Sequence, residues 1–128
     1  AGLGGRWKAV MRKDGDYSTP RVDVNAATVN LKSQIIHPTA GDWPFGIQTM
    51  IKYDENGNRA YPMGANHEIW TGWENRTQGS SADCGDWKSA AASKTGRVGH
   101  LRTTQPSFFL TAGQKKCSEK SHLLCISQ

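Results

Sequence analysis

The run Ile47-Gln48-Thr49-Met50-Ile51-Lys52-Tyr53 alternates along its length and leads straight into Asp54-Glu55-Asn56-Gly57-Asn58. Alternation with a period of two is the pattern of a half-buried strand, and Asn-Gly is the dipeptide that most readily enters the left-handed conformations of a tight hairpin turn. Arg59-Ala60-Tyr61 then begins the return strand, so the spacing predicts a hairpin across residues 47–61. The same short period recurs elsewhere. Arg6-Trp7-Lys8-Ala9-Val10-Met11 alternates charge with bulk until Lys13-Asp14-Gly15-Asp16 breaks it, and Glu68-Ile69-Trp70-Thr71-Gly72-Trp73 reads as a further strand. His122-Leu123-Leu124-Cys125-Ile126 is a short apolar strand at the end of the chain, where it could pair with the opening strand.

One stretch reads differently. After Asp23, the apolar residues Ala27, Val29, Leu31, Ile35 and Ile36 recur with loose spacing until Pro38, which predicts a short helix or a mixed segment. Ala90-Ala91-Ala92 reads as loop, because Ser93-Lys94-Thr95-Gly96 follows at once and no apolar face recurs. Gly96-Arg97-Val98-Gly99-His100 reads as a turn and strand, and Phe108 with Phe109 as core. The expected fold class is α+β, a mixed and mostly antiparallel sheet with one or two short helices, long loops and paired terminal strands.

A chain of 128 residues with no repeat, linker or composition shift is expected to form one domain over residues 1–128. Its apolar fraction is only 36%, yet five Trp, three Tyr and three Phe supply enough bulk for a core of modest size. No segment approaches the roughly 20 apolar residues of a membrane helix, so membrane insertion is not expected. Ala1-Gly2-Leu3-Gly4-Gly5 lacks the order of a signal peptide and reads as the start of a mature or excised piece.

The formal charge of +5 is unevenly placed. Between residues 88 and 120 lie seven basic residues (Lys88, Lys94, Arg97, Arg102, Lys115, Lys116, Lys120) and one acidic residue, Glu119, while the remainder is close to neutral. Such a tract is either a solvated polar surface or a site for a polyanion, whether nucleic acid, sulfated glycan or anionic membrane. Sulfate groups repeat along a glycan, so several cations a few ångströms apart can each meet one, and the arginine fork matches their oxygens. Nucleic acid is the weaker expectation, because single strands need aromatic residues among the cations and only Phe108 and Phe109 lie there.

Chemistry-bearing motifs are few. The sequence holds no Gly-x-Ser-x-Gly elbow, no His-Glu-x-x-His, and no Lys-Ser/Thr after its glycine-rich stretches, while Asp54-Glu55 falls in the hairpin turn, so no enzymatic activity and no cofactor are expected. Cys84, Cys117 and Cys125 lack zinc spacing, and His37, His67, His100 and His122 show no metal pattern. Cys84 could bond Cys117 or Cys125, leaving the third thiol free or bonded outside the chain; three reduced core cysteines in a cytosolic protein is the other reading.

Several fragments, in order, resemble the C-type-lectin-like superfamily, most closely its endostatin branch, the globular domains that follow collagen triple helices. Gly2-Leu3-Gly4-Gly5-Arg6-Trp7-Lys8-Ala9-Val10 is similar to that branch's opening strand, and Val29-Asn30-Leu31-Lys32 to its Val-Asn-Leu-Lys segment. Ile69-Trp70-Thr71-Gly72 resembles the central strand, and Cys84-x-x-Trp87 with Cys117 and Leu124-Cys125-Ile126 resembles the closing elements.

The resemblance implies a Cys84–Cys117 disulfide. It leaves Cys125 without the amino-terminal cysteine that is its partner in that branch. Joining Cys84 to Cys117 would bring Lys115, Lys116 and Lys120 near Lys88, so that a single groove could use all seven basic residues. The Glu-Pro-Asn, Gln-Pro-Asp and Trp-Asn-Asp sequences of calcium-dependent lectins are missing, and the branch's zinc-holding histidines have no counterpart here, so neither metal is expected. The resemblance further implies a secreted or cell-surface domain capping a longer collagen-like chain, a homotrimer, and adhesion through sulfated glycosaminoglycans or other polyanionic polysaccharides. The alternative is a structural trimerisation cap or protein-interaction module with no specific glycan. Asn75-Arg76-Thr77 has the form of a glycosylation acceptor in a eukaryotic secreted protein and is otherwise a polar loop.

Overall fold

A computed structural model describes residues 5–12, 15, 28–29, 32–37, 47–54, 56–59, 67–75, 78–105 and 111–127. Strand β1 (Trp7–Ala9) runs antiparallel to β8 (Cys125–Ser127), with Lys8 opposite Ile126. The amide of Val10 donates to the carbonyl of Leu124 at 2.8 Å, which carries the contact between the two ends of the chain one residue past the ladder. The two ends of the chain therefore pair, as expected of the opening strand and the apolar closing run, although that run divides at Leu124 into two short strands of different sheets.

The central sheet has four strands in the order β6-β5-β4-β7. They are β4 (Glu68–Trp70), β5 (Thr95–His100), β6 (Gly113–Lys116) and β7 (His122–Leu123). Strands β4 and β6 flank β5 antiparallel, while β7 lies parallel to β4, so the sheet is mixed. Helix is confined to α1 (Cys84–Trp87), a single turn, so among the described residues the fold is largely β. Ile69 is buried between two half-exposed neighbours on β4, and it joins Val10, Ile47, Ile51, Trp73 and Leu101 in one core cluster. Leu124 and Ile126 pack against that cluster, so the closing segment contributes to the core as well as to the ladder.

One expectation is corrected. The segment after Asp23 is not helical where it is described: β2 (Thr28–Val29) pairs antiparallel with β3 (Ile35–His37), with a register irregularity at Thr28/Val29. β-branched Thr28, Val29, Ile35 and Ile36 favour extended backbone, and their loose spacing never completes a helical face. The Asn-Gly turn is present, with Asp54 accepting the Gly57 amide at 3.0 Å and its carboxylate accepting the amides of Asn56 and Asn58. Among the described residues its ladder is the single bridge Tyr53–Arg59, and Ala60 and Tyr61 of the expected return strand lie outside them. Ile47 and Ile51 are buried while Gln48 and Met50 are exposed, the alternation of faces that a two-residue period gives. The expectations for Phe108, Phe109 and most of residues 13–27 lie outside the described residues.

Candidate polyanion-binding surface

The basic tract is organised by α1 and by the disulfide beside it. All four residues of α1 have positive φ, namely Cys84 at 54°, Gly85 at 63°, Asp86 at 57° and Trp87 at 60°. L-residues enter this region at a cost of roughly 1–2 kcal/mol each, so the turn must be held from outside. Four contacts hold it. Asp83 accepts the Trp87 amide through its carbonyl (2.7 Å) and the Asp86 amide through its carboxylate (3.1 Å), the Trp87 indole donates to the Arg12 carbonyl (2.7 Å), and Cys84 is bonded to Cys117. The indole also meets Trp70 edge-on, with centroids 5.9 Å apart.

This arrangement gathers three lysines. Lys88 follows the turn and its amide donates to the Gly85 carbonyl. The Lys94 ammonium lies against Gly85, where a Cβ would stand 2.6 Å from Nζ, and the Lys94 carbonyl accepts the Cys117 amide at 2.9 Å. Lys116 sits opposite Thr95 in the β5–β6 ladder, immediately before Cys117. All three are exposed, and Lys88 makes only a 3.6 Å solvent-facing contact with Asp86.

The other four basic residues are placed differently. Arg97 is bidentate to Glu74, with Nη2 2.7 Å from one carboxylate oxygen and 2.8 Å from the other. Its guanidinium bond, then a hydroxyl bond from Ser80 at 2.7 Å, hold the Glu74 carboxyl below its ordinary value despite some desolvation. Lys115 is half-buried and donates to Glu68 (2.8 Å), to the Lys120 carbonyl (3.0 Å) and to the Ser121 hydroxyl (3.2 Å). Side chains alternate along a strand, so Lys115 leaves β6 on the face of Val98 and Glu68, while Lys116 leaves on the face of Thr95 and Arg97. Arg102 lies past the far end of β5, which at about 3.3 Å per residue is roughly 17 Å long, and its guanidinium donates to His67 Nε2 at 3.3 Å. Lys120 lies two residues before His122 at the start of β7.

The single groove that could use all seven residues is therefore corrected. Lys88, Lys94 and Lys116 come together, Arg97 and Lys115 are drawn into carboxylate pairs, and Arg102 stands at the opposite end of β5. The carboxylates responsible, Glu74 and Glu68, lie outside the basic tract in sequence, which is why charge counting along the chain passes over them. Among the described residues no group of three His, Cys, Asp or Glu side chains is placed to hold a metal ion. No protein-family model matches the chain, and no match is found among curated proteins.

Proposed function

We propose that this is an extracellular domain of C-type-lectin-like, endostatin-like fold that binds sulfated polysaccharides, without calcium and without catalysing a reaction. The observation that carries the reading is the gathering of Lys88, Lys94 and Lys116 around the Cys84–Cys117 bond, exposed and clear of the carboxylates that take Arg97 and Lys115. Each lysine meets sulfate as a point charge in water and contributes little by itself, so affinity comes from their number and from counterion release along the glycan. The disulfide suits an oxidising compartment. A homotrimer capping a collagen-like stalk would multiply three weak contacts by three and raise avidity for a long chain.

The test is retention on immobilised heparin against an unsulfated glycan, across a salt gradient. The triple substitution Lys88→Ser, Lys94→Ser, Lys116→Ser abolishes sulfate-dependent retention, while Arg97→Ser and Lys115→Ser change it little. Retention that ignores sulfate, or survives the triple substitution, overturns the reading. The ion pairing of Arg97 and Lys115 favours a second reading, in which part of the positive charge serves the fold and the domain is a structural trimerisation cap. That reading predicts elution below physiological salt.

A further inference from the structure

The register of the β5–β6 ladder puts four polar side chains on one face of the ribbon. Thr95 lies opposite Lys116 and Arg97 opposite Gln114, and residues two apart on a strand leave on the same side. Thr95, Gln114 and Lys116 are exposed and Arg97 is half-buried, so this face meets solvent, whereas Val98 on the other face is buried.

The four differ in what they can still bind. Arg97 is neutralised by Glu74, whose oxygens take its Nε at 3.1 Å and its Nη2 at 2.7 and 2.8 Å. The Thr95 hydroxyl donates to Gln114 Oε1 at 3.1 Å, which engages the carbonyl half of that amide and leaves its NH2 group as a donor. A hydroxyl that donates also keeps acceptor lone pairs, so Thr95 Oγ and Gln114 Nε2 stand side by side as acceptor and donor. Among the described residues, neither Gln114 Nε2 nor the Lys116 ammonium is engaged by another group of the protein. Gln114 and Lys116 are two residues apart on β6, a step of about 6.6 Å. The face therefore offers one open cation and, one step along the strand, an uncharged acceptor and donor pair beside a neutralised arginine.

We propose that Gln114 and Thr95 form a sugar-hydroxyl subsite next to Lys116, so that a sulfated glycan lies along β6 with a sulfate on the lysine and a free hydroxyl on the pair. A sugar hydroxyl both accepts and donates, and so satisfies Gln114 Nε2 and Thr95 Oγ together. An oxygen of sulfate or phosphate only accepts, leaves Thr95 unmet, and sets a second negative charge near Glu74 where no open cation answers it. The subsite rests on the polysaccharide reading for its ligand, and it makes Gln114 and Thr95 specificity-determining residues that charge counting passes over.

The experiment is calorimetric titration across a salt series with a heparin oligosaccharide and with linear polyphosphate, which carries no hydroxyl along its chain. The proteins are the wild-type chain and the variants Q114L, T95V and K116S. A neutral hydrogen bond to a sugar oxygen is a factor of about three to ten in affinity, so Q114L and T95V each weaken heparin binding by that factor. Because no counterion is released at a neutral contact, their salt slopes equal that of the wild type, whereas K116S lowers the slope by about one. Their affinity for polyphosphate, where the wild type binds it, changes by less than about twofold. Full heparin affinity in both variants overturns the subsite and leaves the polysaccharide reading standing, as does an equal loss with both ligands or a reduced slope in Q114L. A wild-type chain that does not bind heparin overturns both. Valine favours a strand as threonine does, and both positions are exposed, so the variants fold. NMR of the wild type supplies a check that needs no variant: heparin oligosaccharide shifts the Gln114 side-chain amide protons, and unmoved signals in the bound chain overturn the proposal.

Discussion

Gly96 shows how closely the region around the disulfide is packed. A Cβ there would stand 2.8 Å from Cys84 Sγ and 2.8 Å from the Trp70 ring, so no side chain fits without displacing the bond or the indole. Gly96→Ala is expected to cost about 1–3 kcal/mol in urea denaturation, the usual penalty of overpacking. Gly72 is more constrained still, since it combines a φ of 69° with a Cβ position that overlaps the Arg12 carbonyl. Neither requirement is visible in the local sequence, where Thr95-Gly96-Arg97 reads as an ordinary end of loop. The contact partners come from positions 12, 70 and 84, far away along the chain.

The left-handed turn and the β5–β6 ribbon form one unit, because Cys84–Cys117 joins them across a sequence separation of 33 residues. Closing a loop of that length in the unfolded chain corresponds to roughly 3.5–4 kcal/mol, so the double variant Cys84→Ser, Cys117→Ser should lose about that much and scatter the three lysines as the turn relaxes. Thermal unfolding with and without reductant checks the first effect, and heparin retention the second. Arg97 ties β5 to the loop after β4 through Glu74. Glu74 titrates below its ordinary value of 4.5 in the fold, so this tie contributes stability in full above that pH and loses it as the pH falls through the folded value. The Arg97→Met variant should therefore melt below the wild type at pH 7, with the gap narrowing below pH 4.5. The pair is partly open to water, so the gap is small.

The mixed sheet leaves Lys88, Lys94 and Lys116 exposed beside the disulfide while Arg97 and Lys115 pair with Glu74 and Glu68. If three lysines make the neutral-pH contact, heparin affinity should fall with salt at a slope near two to three on logarithmic axes, by the counterion-release rule established for nucleic acids. A slope of six or seven would mean that the whole basic tract is engaged. Ile69 is 1% exposed at the centre of the cluster, and Ile69→Ala should cost about 2–5 kcal/mol, enough to unfold a marginal domain of this size and disperse the lysine cluster with it.

Local chemistry is sufficient for the elements that depend on neighbours in sequence. The opening strand follows from alternation, the extended closing segment from its apolar run, the turn at Asn56-Gly57 from its dihedral preferences, and the surplus of charge from a count. The split of the seven cations is not legible, because it depends on which carboxylate meets which cation and on which face of β6 each lysine leaves, and register decides both. The segment around residues 28–37 misleads for a related reason: loosely spaced apolar residues suit either a helix or a ribbon until a partner strand supplies hydrogen bonds. Sequence alone carries composition, turn chemistry and short-range period, whereas long-range pairing chooses the faces and the charge partners, since these interactions join residues that only folding brings within a few ångströms.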